Sequence, residues 1–215
     1  MNRRLVKKTV LMLTTTMFFS SAPAFINAEE KVQECLYFKT DEVYGAELND
    51  NSSTYLTANE TGSFMVDMGN GKTVQLSGEL MSNASNILFV MLNQYRAANI
   101  GNNYCLSQLN EIDSLAESRA VEIAVNFSHL RPNASDSWQI TVPEGMSISA
   151  RAENLAYLMA DGSDLQIANS LMSIWQNSYS HNKAMLNPAY NYASVAVFKS
   201  GGKYYAVQEF YRINN

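Results

Sequence analysis

Apolar positions along this chain change their period several times, and each change marks a different kind of element. In "SFMVDMGNGKTVQLSG", two strand-like runs flank Gly69-Asn70-Gly71, the turn chemistry of a β-hairpin. From Asn83 the period lengthens. Ile87, Leu88, Met91, Leu92 and Tyr95 recur at i, i+3, i+4, which predicts a helix with Asn83 or Ser85 as N-cap and "NIGNN" as its stop. A second helix places Ile112, Leu115, Ala116, Arg119, Ala120, Ile123, Ala124 and Phe127 on one stripe, and Pro132 forbids its continuation. The helical period is lost in "WQITVPEGMSISARAENLAYLMADGS", which reads as loop and short extended structure. It returns with Leu165, Ala168, Leu171, Met172 and Trp175, capped by Ser163 or Asp164. The end of the chain is β: "NYASVAVF" and "KYYAVQEFYRI" flank a Gly201-Gly202 hairpin turn. Helices followed by a terminal antiparallel hairpin predict an α+β fold with helices packed on a small sheet.

Composition changes this picture mainly at the N-terminus. The 215 residues are 47% hydrophobic and 16% charged, enough apolar material for a core, and carry a net charge of -5. That charge argues against nucleic acid as a partner. "MNRRLVKK", then an apolar run diluted by Thr and Ser, then small residues at Ala22 to Ala24 or Ile26 to Ala28, have the three-part form of a secretory signal. The run is too short, and too interrupted by Pro23, for a spanning helix. The reading is therefore a leader over 1–28, an acidic extension with the hairpin over 29–82, and a main domain over 83–215. Localisation is expected to be secreted, with no membrane span in the mature chain. In that compartment Cys35 and Cys105 suggest one disulfide, worth ~4 kcal/mol in the chain-entropy model. Two unpaired thiols are the alternative; a metal site of the pair is disfavoured, since no CxxC spacing exists.

Chemistry rests on few residues. There is no G-x-S-x-G elbow and no HExxH motif, and nothing marks one serine out as a nucleophile. The chain has only two histidines, His129 and His181. Each follows a predicted helix, where loops display functional groups, and Glu153 interrupts the stretch between them. Two imidazoles and a carboxylate can hold a divalent metal, or the carboxylate can act as a base beside an imidazole. Equally, each histidine alone can satisfy a helix C-terminus.

Read together and in order, "LNQYRAANIG", "SLAESRAVEIAVNFSHLRPNASDSW", "RAENLAY", "SIWQNSYSHNKAMLNPAYNYASVAVF" and "GGKYYAVQEF" resemble the CAP superfamily: cysteine-rich secretory proteins, antigen 5 and pathogenesis-related 1 proteins, in the bacterial branch. The resemblance runs from about Asn86 to Ile213. It implies an α-β-α sandwich around a small, mainly antiparallel sheet, with a cleft lined by His129, Glu153 and His181 and flanked by Asn154. Ser178 stands where many members carry a further glutamate, so the full acidic and histidine tetrad is absent. Ala152 and Ala134 replace glycines, Ala152 with less freedom to adopt φ > 0; Asn182 replaces an arginine.

The function this implies is extracellular binding of a protein, peptide or cell-surface ligand by a soluble monomer, with Zn²⁺ or another divalent ion held by His129 and His181. The rival is a metal-assisted, peptidase-like hydrolase with Glu153 as general base, and a lipid-binding module is a third reading; fold alone does not choose among them. For the Cys35 and Cys105 pair, mass spectrometry of the non-reduced protein should show two hydrogens missing, and free thiols on both would end that expectation.

Overall fold

The computed structural model describes residues 59–135 and 139–214. The expected leader, the acidic segment up to residue 58 and Cys35 lie outside these residues. Within them the chain forms five strands and four helices: β1 (Glu60–Gly69), β2 (Lys72–Leu80), α1 (Ser82–Ile100), α2 (Asn110–Val125), β3 (Ser147–Leu158), α3 (Asp164–Gln176), α4 (Tyr179–Met185), β4 (Tyr192–Ser200) and β5 (Lys203–Asn214), with a short 3₁₀ turn at Asn102–Tyr104. The strands make one sheet in the order β1-β2-β4-β5-β3, antiparallel at every pairing.

Both sheet faces are covered, which makes the molecule a sandwich. On β5, Tyr204, Ala206 and Phe210 point to one face, where they meet Leu88 and Leu92 of α1 and Ile167, Leu171 and Trp175 of α3. Val207 points to the other and meets Ala116, Ala120 and Ile123 of α2. Strand side chains alternate between faces, so a central strand buried on both must be apolar at nearly every position. "YASVAVF" is such a run. The expected mixed fold with a small antiparallel sheet is what is found.

Several local expectations need correction. The first helix starts at Ser82 and has no side-chain cap. Ser85 instead accepts a hydrogen bond from Val197 N (3.0 Å) and donates to Met81 O (2.9 Å), tying the first turn of α1 to β4. Ser163 does cap α3, in a capping box with Gln166. Phe127 lies past the end of α2 and is 47% exposed, edge-on to Tyr157. The region read as loop and short extended structure contains the 12-residue strand β3, whose pairing with β5 overrides a weak local pattern. His181 is inside α4 rather than in a loop.

The hairpin is part of this sheet. After the Gly69-Asn70-Gly71 turn, β2 pairs with β4 through Glu79–Lys199 and Leu80–Phe198, and Val66 is buried against the α2 side of the core. Gly78 makes the join possible. A Cβ there would lie 2.2 Å from the Phe198 ring and 2.6 Å from Lys199 O, both inside contact distance. Gly78→Ala is therefore expected to lower stability by ~1–3 kcal/mol through overpacking. Urea denaturation reads this directly, and an unchanged midpoint would mean that the close approach of β2 to Phe198 is not needed.

Candidate functional site

Arg119 sits in the middle of the apolar stripe of α2, and its side chain is fully buried. A guanidinium removed from water must find acceptors for its N–H groups. Here Nε and Nη2 donate to Glu153 Oε2 and Oε1 at 2.8 and 3.3 Å, Nη1 donates to Glu122 Oε2 at 2.8 Å, and Nη2 also reaches Ser128 O at 2.7 Å. Burial works against the charge, but the Glu153 and Glu122 carboxylates outweigh it and hold the Arg119 pKa above its usual value. Glu122 in turn accepts from Arg131 through both Nε and Nη2. One side chain thus joins α2, strand β3 and the loop that carries His129.

That loop presents His129 to Glu153. Nδ1 of His129 lies 2.7 Å from Glu153 Oε1, the imidazole half-exposed and the carboxylate fully buried. Glu153 is a hydrogen-bond acceptor here, so Nδ1 of His129 carries the hydrogen between them and donates it to the carboxylate. At its tip, the hairpin steadies the same loop, Asn133 Nδ2 donating to Asp67 Oδ2 at 3.0 Å.

His181 arrives from the opposite face of the sheet. Asn154, next to Glu153 on β3 but pointing the other way, donates to His181 O (3.0 Å) and to Gln208 Oε1 (2.9 Å), fixing α4 against the strand. Tyr95 of α1 donates to Asn182 Oδ1 at 3.1 Å. Beyond α4, Arg96 donates to the carbonyls of Tyr104, Met185, Asn187 and Tyr190. With only carbonyl partners, burial draws the pKa of Arg96 down to about 10. Nδ1 of His181 is buried and meets no partner among the described residues. Burial, and then the neighbouring His129, lower the His181 pKa, so the ring is neutral at pH 7. The structure therefore brings His129, Glu153, Asn154 and His181 to one edge of the sheet around β3.

The other predicted positions contribute less. Ser178 precedes α4 at its N-cap position without a side-chain cap bond, and its hydroxyl lies 3.3 Å from Ser180 Oγ. Cys105 is half-buried just after the 3₁₀ turn, while its expected partner Cys35 lies outside the described residues. Ala152 is ordinary strand, paired with Phe210, so no glycine conformation is required there. Ala134 is the position with positive φ, at 59°. Arg119, Glu122, Arg131 and Glu209 escaped the sequence reading. The signal was available for Arg119, since a charge at the centre of an apolar helix stripe demands a buried partner, but which carboxylate answers it depends on the folded arrangement.

Fold and site together define an α-β-α sandwich whose edge strand β3 carries Glu153 beside His129 and Asn154 beside α4. The family described as CAP, the cysteine-rich secretory protein family, matches residues 89–210, and this chain belongs to it. Among solved structures it is similar to an outer surface protein of Borrelia burgdorferi (16% identity, 71% of this chain and 100% of that one, TM-score 0.47). It is also similar to a cysteine-rich secretory protein of Staphylococcus aureus (18%, 60% and 39%, TM-score 0.44) and to an extracellular protein containing an SCP domain from Bacillus anthracis (23%, 66% and 46%, TM-score 0.46). The chain spans less than half the length of the latter two. No curated protein sequence matches it.

Arg119→Met should cost ~3–5 kcal/mol, because it leaves Glu153 buried without its guanidinium, while Glu122 keeps only Arg131. Adding Glu153→Gln to that variant should restore part of the loss. Equilibrium denaturation of the single and double variants checks both, and additive effects would show that the buried pair is not coupled.

Proposed function

We propose that this protein acts outside the cell as a CAP-domain binding protein whose cleft, built from His129, Glu153 and His181, holds a divalent ion such as Zn²⁺ and presents it to a protein, peptide or cell-surface ligand. What carries this reading is the setting of the two imidazoles: Nδ1 of His129 donates to a buried carboxylate, and His181 keeps a buried Nδ1 with no partner among the described residues. A ligating histidine whose other nitrogen donates to a carboxylate is the common arrangement in metal sites. The export expectation is supported by the tripartite leader and by the secretory family to which the chain belongs. No helix of the described residues is long and apolar enough to cross a membrane.

The donor set fits a loosely held ion in an open site. Among the described residues no three His, Cys, Asp or Glu side chains form a metal-binding group, so an ion here would have the two histidines alone, whereas catalytic zinc ordinarily has three protein ligands. Glu153, fully buried and already accepting from Arg119 and His129, is placed to orient His129 rather than to take a proton from water. Both points favour binding over hydrolysis.

Calorimetric titration with Zn²⁺ tests the reading. Wild-type protein should bind one ion, and His129→Ala or His181→Ala should each weaken binding by tenfold or more. Equal binding by all three proteins would place the ion elsewhere and remove the histidines from the proposal.

A further inference from the structure

Glu209 lies directly across from Glu153 in the β3–β5 pairing, and it is completely buried. Two carboxyl groups on adjacent strands, facing the same side away from water, repel each other if both are ionised. Neither oxygen of Glu209 meets a hydrogen-bond donor among the described residues. From α2, the N–H groups of Arg119 go to Glu153, Glu122 and Ser128 O. From the loop, Arg131 goes to Glu122 and His129 to Glu153. On its other side Glu209 pairs with Ser194 of β4, whose hydroxyl is engaged with Asp113. Among the described residues the group Glu209 faces is Glu153, itself an acceptor. Between two acceptors a hydrogen bond forms only if one of them carries the proton. Glu153 already takes donors from a guanidinium and an imidazole, so the proton belongs on Glu209.

We propose that Glu209 is a positioning residue of the cleft: it stands in the fold as a neutral carboxylic acid whose O–H donates to Glu153 and holds that carboxylate against Arg119 and His129. Around Glu209 the carboxyls of Glu122 and Glu153 are already matched by the guanidiniums of Arg119 and Arg131, whose hydrogen-bond partners among the described residues are those two acids and the Ser128 carbonyl. Burial, and next to it Glu153, push the Glu209 pKa well above the carboxylate range, and the opposing pull of Arg119 and Arg131 does not reverse this. The meaning of Glu209 for the cleft rests on the function proposed above; its proton does not.

The sign of the stability effect follows. Above pH ~4.3 the unfolded chain releases the Glu209 proton while the folded chain keeps it, so this residue makes the fold less stable as pH rises. Glutamine keeps a donor and has no proton to lose. In metal-free protein, the unfolding constant of wild type relative to Glu209→Gln should therefore rise about tenfold per pH unit from pH ~5 until the folded protein itself releases the proton. A pH-independent ratio would overturn the proposal. On ¹³C-labelled wild type, which needs no variant to fold, the Glu209 carboxyl carbon should keep the chemical shift of a protonated acid at pH 7, and the shift of a carboxylate would equally overturn it. The positioning role has its own readout. The His129 imidazole resonances should hold their wild-type positions in Glu209→Gln and move in Glu209→Leu, which has no donor; unchanged resonances in both would show that Glu209 does not orient Glu153. Because none of these measurements uses metal, a failure of Zn²⁺ binding leaves them intact.

Discussion

The buried guanidinium of Arg119 is the constraint on which the arrangement around Glu153 depends. It carries a charge into the layer between α2 and the sheet, where it survives only if carboxylates and a carbonyl surround it. Those acceptors come from three places: Glu122 one turn along the same helix, Glu153 on strand β3, and the carbonyl of Ser128 in the loop between them. Satisfying one side chain therefore fixes the distance from helix to strand and the path of the loop. Residue 129 follows directly, and its imidazole meets the carboxylate that Arg119 has already oriented.

The second histidine is held by different means. On its side of the sheet the ties are neutral hydrogen bonds and apolar packing. Asn154 and Gln208 are cross-strand partners that connect β3 and β5 to the backbone of α4, and Arg96 gathers the carbonyls just beyond that helix. The alternation of the strand explains the division. Glu153 and Asn154 are adjacent, so they point to opposite faces, and one strand serves both histidines at its edge. β3 is also the last strand of the sheet in the order β1-β2-β4-β5-β3.

Much of the fold was legible because its elements are locally consistent. The Ser163 capping box, the Gly69-Asn70-Gly71 and Gly201-Gly202 turns, and the apolar stripe of α3 each combine a pattern with a boundary signal. Strand β3 was less legible. Its outer residues, such as Arg151 and Tyr157, are exposed, while Glu153 and Asn154 interrupt the apolar run at its centre, so nothing local distinguishes it from a loop. The start of α1 was misplaced for a similar reason: Asn83 and Ser85 have the chemistry of caps, but Ser85 is used to bond the sheet.

By itself the sequence determined the mixed helix and strand composition, the two hairpin turns and, through five ordered motifs, the family. These are local or nearly local properties of the chain. Only the tertiary structure decided that the first hairpin joins the sheet beside β4, that His181 lies within a helix, and that Arg119, Glu122, Arg131 and Glu209 surround Glu153. Each of those depends on which groups share a buried volume after the chain has closed on itself. A carboxyl group has the same letter whether it is an exposed anion or, like Glu209, is shut away opposite another acid; the difference lies in what the fold leaves beside it.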